Sequence, residues 1–454
     1  MKKELFSNEI TILRDTFRRL LRRRAKTNII KLIDKTHPAD LALLFRYFNE
    51  NEQGEIFNDL KPSEDTAEFL NELDESISIR LIENESPEKI AQILEYASSN
   101  EQAYLMGLID NTYASSVIDL LKAEKQEELE EMMAYPEDSA GILMYTDVFT
   151  LHEDTKAKDA IYALQDQEDA EMVFYLYTLD NDGRLTGVIS LRDLVTTSGD
   201  TMLKDIMSKQ IHVVRPETDQ EEVARIVSQY NFLAVPVVDS DDRLLGIVTV
   251  EDVVDVIREE ATEDFLQMVG AGKDREILLK SSWENARMRV PWLFASWVGG
   301  ILAAFIIGVF DNVLQSTIAL AAFIPVIMGM GGNIGTQSST MIVRGLATGR
   351  VSIENSVKIL FKEIRVGLLL GILYGLLLGL FAIFRFIDVS PMIGVVVGLS
   401  IFISMIIAAT IGSLVPLILN RFEIDPAIAT GPFVTTAIDI LGVAFYFIVA
   451  GAFL

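Results

Sequence analysis

The residue most out of place is Asp439. It lies about a dozen residues into an apolar run, 427–453, that carries no other charge. A carboxylate at mid-membrane depth costs about 3 kcal/mol on insertion scales, so such groups mark ion or proton pathways. Thr435 and Thr436 precede it by one helical turn and Pro432 by two, which puts all four on one helix face. A second apolar run carries a matching stripe of Pro325, Gly329, Gly332, Asn333, Thr336 and Thr340. Small residues let helices approach closely. Pro325 and Pro432 free carbonyls that only protein or water can satisfy at that depth. The competing reading is a protonated Asp439 hydrogen-bonded to a neighbouring helix, with the glycines serving packing alone. Two proline-broken helices beside a lone carboxylate favour a cation path. One carboxylate is a poor counter-charge for a divalent ion, whereas a twofold dimer with an axial path supplies two. A hydrated ion held through its waters suits Mg2+ better than Ca2+. The residues select a divalent cation without choosing which.

A second set of carboxylates lies upstream. Glu251, Asp255, Glu259 and Glu263 repeat every four residues, and Asp252, Glu260 and Asp264 thicken the stripe. Like charges at that spacing repel by roughly 0.2–0.5 kcal/mol per pair. A solvated helix face is the plain explanation. The stripe, however, leads straight towards the first apolar span, so bound divalent cations would relieve its repulsion and bridge it to the acidic N-terminal part. The result is a feedback brake whose ligand is the transported ion. The brake has an energetic reason: a divalent ion gains about 4.6 kcal/mol per 100 mV of inside-negative potential.

The elements that must position these groups follow from composition. The chain has 454 residues, 50% hydrophobic, with a net charge of −27. The two properties are segregated. Residues 1–287 hold 59 of the 66 acidic and 31 of the 39 basic side chains, and 288–454 hold only seven and eight. Five stretches, roughly 291–310, 317–342, 364–386, 392–419 and 427–453, are long enough to cross a bilayer. With the soluble part inside, eight Lys and Arg flank the inner ends and only Arg385 the outer ones, so the carboxyl terminus is expected outside. No cysteine and three scattered histidines exclude disulfides, thiolate zinc sites and histidine-built centres. No nucleophile–base set suggests an enzyme, the start is too charged for a signal peptide, and so acidic a surface is no partner for nucleic acid.

Residues 137–260 contain a duplication. Asp180–Asp193 pairs with Asp239–Asp252 at an offset of 59, each copy reading helix, strand, turn, strand, helix. The pattern resembles the cystathionine-β-synthase (CBS) domain. That resemblance implies side-by-side pairing and, at Ser190/Asp193 and Thr249/Asp252, contact with the ribose of an adenine nucleotide such as ATP. Asp180-Asn181-Asp182-Gly183 starts like an EF-hand loop, but Leu191 stands where the closing Glu belongs, so it is read as a hairpin turn. The first 135 residues read as stacked helix pairs, with Pro38, Pro62 and Pro87 marking helix starts. The basic run from Arg14 to Lys26 is read as a solvated face or as pairing within this acidic half.

The whole ensemble resembles the MgtE family of magnesium transporters, most specifically in Pro325–Gln337 and in Gly431–Thr436 with Asp439. The expected architecture is multidomain. It comprises an all-α helical-repeat domain (1–135), two α/β CBS domains (136–200 and 201–261), a linking helix (262–287) and an all-α five-helix transmembrane domain (288–454). The resemblance implies a homodimeric, Mg2+-selective channel in the cell (inner) membrane, with the N-terminal domains cytoplasmic. It also implies closure by cytosolic Mg2+ at the soluble-domain interfaces. Asp439 matches the family's pore aspartate, and Asp252, Asp255, Glu260, Glu263 and Asp264 match its regulatory positions. A membrane-tethered CBS nucleotide sensor and a proton-coupled divalent-cation carrier are the alternatives.

Overall fold

The computed structural model describes all residues except 1, 167–173, 273, 275, 278–279, 353–354, 423 and 430. It forms two compact units, Met1–Ile257 and Arg258–Leu454.

The first unit begins with short helices that stack in two alternating rows. Pro38–Phe45, Glu64–Asn71, Pro87–Leu94 and Asn111–Ile118 pack in succession, and so do Lys26–Ile33, Glu50–Asp59, Glu75–Glu83, Ser99–Leu108 and Ala123–Met132. No helix here exceeds three turns apart from the first, so each depends on neighbours to cover its apolar face. Phe45, Phe57, Phe69, Ile29 and Leu44 fill the seam between the rows, with Phe45 and Phe69 edge-on at 4.8 Å. Pro38 and Pro87 open helices capped by His37 and Ser86. Pro62 does not: Ser63 takes the N-cap and Glu64 begins the helix. Part of the basic run is spent locally, Lys26 on Asp59 at 2.8 Å and Arg18 on the Tyr47 carbonyl at 2.6 Å.

Two small sheets follow. β1 (Thr150–His152) runs parallel to β2 (Tyr175–Leu179), which pairs antiparallel with β3 (Leu185–Ser190). β4 (Ala234–Val238) pairs antiparallel with β5 (Leu244–Thr249). The duplication shows in the register: each hairpin carries its irregularity at the same place, Thr178/Leu179 and Val237/Val238. In both turns an aspartate accepts two backbone N–H groups. Asp180 takes those of Asp182 and Arg184 at 2.8 and 2.9 Å, and Asp239 those of Asp241 and Arg243 at 2.9 and 2.8 Å. The first EF-like carboxylate is thus committed to its hairpin.

β5 leads into α1 (Val250–Met268). The second unit continues with α2 (Ser282–Val309), α3 (Ile324–Ala347, preceded by a 3-10 turn at Ile318–Phe323), α4 (Ser356–Arg385), α5 (Met392–Arg421) and α6 (Pro432–Phe453). All five helices from α2 to α6 have the length and apolar composition of a membrane span. The single linking helix expected over 262–287 is instead interrupted. α1 ends at Met268, and Gly270 and Gly272 take φ values of +71° and +98°, conformations that residues with a Cβ avoid. α5 is the central post, packed against α3, α4 and α6. Glycine makes this possible: a Cβ on Gly367, Gly371, Gly375 or Gly379 of α4 would come within 3 Å of α5 atoms.

Candidate ion pathway and cation seam

α3 has two faces. Ile327, Gly331, Ile334, Gly335, Ser338 and Ile342 are buried against the rest of the chain. Pro325, Gly329, Asn333, Gln337 and Thr340 are exposed on the other side, with Gly332 and Thr336 half-buried beside them. A Cβ on Gly329 or Gly332 would meet nothing within 4 Å. The polar stripe found in the sequence is therefore the face that its own chain leaves uncovered. Neither Asn333 nor Gln337 has a hydrogen bond among the described residues. Amides in that position belong beside water or a second subunit, since hydrocarbon offers no partner.

Asp439 sits on α6 beside Ile438, whose side chain fills the space left by Gly331 and Gly335 of α3. It is half-buried and has neither hydrogen bond nor ion pair among the described residues. The competing reading, a protonated Asp439 bonded to a neighbouring helix, finds no such bond among the described residues. The two threonines are differently engaged. The Thr435 hydroxyl donates to the carbonyls of Gly431 and Pro432 at 3.2 Å each, closing the first turn of a helix that Pro432 opens and does not break, contrary to the expectation from sequence. Thr436 packs on Gly299 of α2. Pro432 is the first residue of α6.

The carboxylate stripe divides along α1. Asp252 belongs to the helix start: its Oδ2 accepts from the Thr249 hydroxyl and amide, and its Oδ1 accepts from Asn100 Nδ2 at 3.1 Å. Ser190 and Asp193 form the same cap in the first repeat. The repeated Gly-x-x-Ser/Thr-x-x-Asp ending is thus a helix-capping device. Burial pushes the Asp252 carboxyl above the usual carboxylate range, against the lowering effect of the Thr249 hydrogen bonds. Glu251 and Asp255 are exposed, and Glu259, Glu260, Glu263 and Asp264 are half-buried. Glu263 accepts from Gln267 at 2.9 Å.

Asp264 is pushed up to about 6, mainly by burial and then by the charges of Asp425 and Glu260, with Arg344 pulling the other way. Asp425 did not stand out in the sequence, because it lies in a short connection with no periodicity to mark it. Among the described residues, no three His, Cys, Asp or Glu side chains gather closely enough to hold a metal ion. The end of the stripe lies against the helix that carries Asp439. A Cβ on Gly270 would lie 3.4 Å from Pro432 Cδ, and one on Gly431 would lie 3.1 Å from the Met268 carbonyl. α1 therefore abuts the first residue of the helix that carries Asp439.

Comparison with known families and structures agrees with this layout. Residues 324–449 match the divalent cation transporter family MgtE, 36–138 match the MgtE intracellular N domain, and 140–199 and 203–259 each match a CBS domain. The chain is 32% identical to the magnesium transporter MgtE of Bacillus subtilis over 424 residues, 93% of either chain. It is 35% identical to that of Thermus thermophilus over 435 residues, 92% of this chain and 94% of the relative. Among solved structures, it is similar to the cytosolic domain of the Mg2+ channel MgtE in complex with ATP. The identity there is 32% and the TM-score 0.51, covering 54% of this chain and 99% of that one.

Proposed function

This chain belongs to the MgtE family of magnesium transporters, and on that premise we propose that Mg2+ passes along the uncovered face of α3 beside Asp439, between two copies of the chain. It is a multi-pass membrane protein with a soluble N-terminal region, and it transports Mg2+ rather than acting as an enzyme in the usual sense. The tethered-sensor and proton-coupled-carrier readings are not favoured. The observation that carries the proposal is Asp439 itself, an intramembrane carboxylate without a partner among the described residues.

In a homodimer the two stripes of Pro325, Gly329, Gly332, Asn333 and Thr336 would face each other, and the paired Asp439 carboxylates would match a +2 charge. Asn333 and Gln337 donate and accept hydrogen bonds, which suits an ion that keeps its waters. Pro432, Thr435 and Thr436 shape the α6 side of the path.

Cytosolic Mg2+ is the closing ligand in this reading. Glu251, Asp252, Asp255, Glu259, Glu260, Glu263 and Asp264 supply the seam, with Asp425 added from the α5–α6 connection. Cation bound near Asp264 would act on Pro432 through the end of α1. The N-terminal region would lie in the cytoplasm of a cell with the carboxyl terminus outside, a reading that the Lys and Arg distribution supports. An adenine nucleotide in the CBS repeats is supported by the ATP complex of the similar cytosolic domain. The exposed stack of His212 on Tyr230, with ring centroids 4.1 Å apart, offers a base a flat apolar surface.

The test is Mg2+ flux into liposomes followed with a fluorescent reporter. Asp439→Ala should lower uptake by more than about tenfold, as expected for a charge removed from a low-dielectric path, while insertion and dimer formation persist. Undiminished uptake would remove Asp439 from the path.

A further inference from the structure

The membrane unit holds a second acidic side chain that the pathway above does not use. Glu363 of α4 is 5% exposed and Ser338 of α3 is 4% exposed. The Ser338 hydroxyl donates to Glu363 Oε2 at 3.0 Å. Among the described residues Glu363 has no cationic partner. One turn further along α4, a Cβ on Gly367 would lie 2.9 Å from the Met405 carbonyl and 2.8 Å from Ala409 Cβ of α5. The adjacent Ser339 hydroxyl is buried with no hydrogen-bond partner among the described residues, so the back of α3 is polar at this depth.

The front of α3 at the same level is the stripe of Gln337 and Thr340, both exposed, with Thr336 half-buried beside them. Ile438 lies against Gly331 and Gly335, so Asp439 is level with those residues, and Ser338 is about 5–10 Å further along the helix at 1.5 Å per residue. A buried carboxylate without a fixed counter-charge is costly. A divalent ion on the opposite face of the same helix, roughly 10 Å away, offsets that cost, because charges interact strongly through protein at this range.

Resting on the pathway proposed above, we propose that Glu363 is a positioning residue for the ion. Held by Ser338 behind α3, its charge draws the hydrated cation onto the Thr336–Thr340 stretch without touching it. Glu363→Gln keeps the shape and the hydrogen bond and removes only the charge. In liposome flux it should raise the half-saturating Mg2+ concentration on the order of three- to tenfold, with an unchanged unfolding temperature. Glu363→Asp, which keeps the charge, should recover most of that loss, and Ser338→Ala should stay near the wild type. A wild-type saturation curve for Glu363→Gln overturns the proposal. So does a Glu363→Asp variant no better than Glu363→Gln, or a Ser338→Ala variant equally impaired, since each marks a packing contact. Should the Gln variant fail to assemble, the other two decide: both near wild type supports the charge, both impaired refutes it. Asp439→Ala in the same preparation separates the two ideas. If it still transports Mg2+, the pathway itself is wrong. If it is inactive while Glu363→Gln behaves as wild type, only the role of Glu363 falls.

Discussion

At the scale of single residues, contrast decides what a sequence shows. Asp439 was legible because nothing else in its span is charged. Glu363 was not, because Lys362 and Arg365 beside it make it read as the charged flank of a span; only the packing of α3 and α5 on α4 shows it buried. Asp264 was legible as part of a periodic stripe, but its partner Asp425 was not. That pair leads to a pH dependence. A carboxyl raised to about 6 is ionised above that value, at a cost to the folded state that is relieved as pH falls through about 6 towards the ordinary carboxylate range. With Asp264 a Mg2+ ligand, as proposed, protons and Mg2+ would compete for the same charge. The cytosolic Mg2+ that half-inhibits flux should rise between pH 7.5 and 5.5, and Asp264→Asn should flatten the change. An inhibition curve that does not move with pH would mean that Asp264 is not a ligand.

At the scale of elements, the spans and the CBS hairpins could be read from length, hydropathy and the 59-residue offset. The interruption after Met268 could not, because acidic periodicity argues for continuation while two glycines, each with positive φ, end the helix. The helix start also moves from Pro62 to Glu64, with Ser63 extended at the N-cap position and its hydroxyl bonded to Thr66 rather than to a backbone N–H. Glycines in α3 and α5 also fall into two kinds that the sequence does not separate. A Cβ on Gly412 would collide with the backbone carbonyl of Gly335, whereas one on Gly329 meets open space. Gly412→Ala should therefore destabilise the solubilised protein by roughly 1–3 kcal/mol, read as a lower unfolding temperature. Gly329→Ala should leave that temperature unchanged and reduce Mg2+ flux. Equal unfolding temperatures for the two variants would contradict the close approach of α3 and α5.

At the scale of the whole molecule, the charge partition foretold an acidic soluble region joined to an apolar one, and the structure divides into two units, the second beginning at Arg258 within α1. Replacing Glu251, Asp255, Glu259 and Glu263 together by Gln or Asn should leave flux high at cytosolic Mg2+ that shuts the wild type. The shift in half-inhibitory Mg2+ would be about tenfold or more, since several ion contacts are lost at once. Closure at the original concentration would reduce the stripe to a solvated face.

The abutment of Gly270 on Pro432 has a mechanical corollary. A helix resists axial compression, so α1 can act as a push-rod whose tip rests on the base of α6. The carboxylate-bearing turn lies two turns further on, about 10 Å away, and travels with that base without gearing. A methyl group added at residue 270 would sit in van der Waals contact with the proline ring, so Gly270→Ala would close the gap between the two and make any stroke of α1 felt sooner at α6.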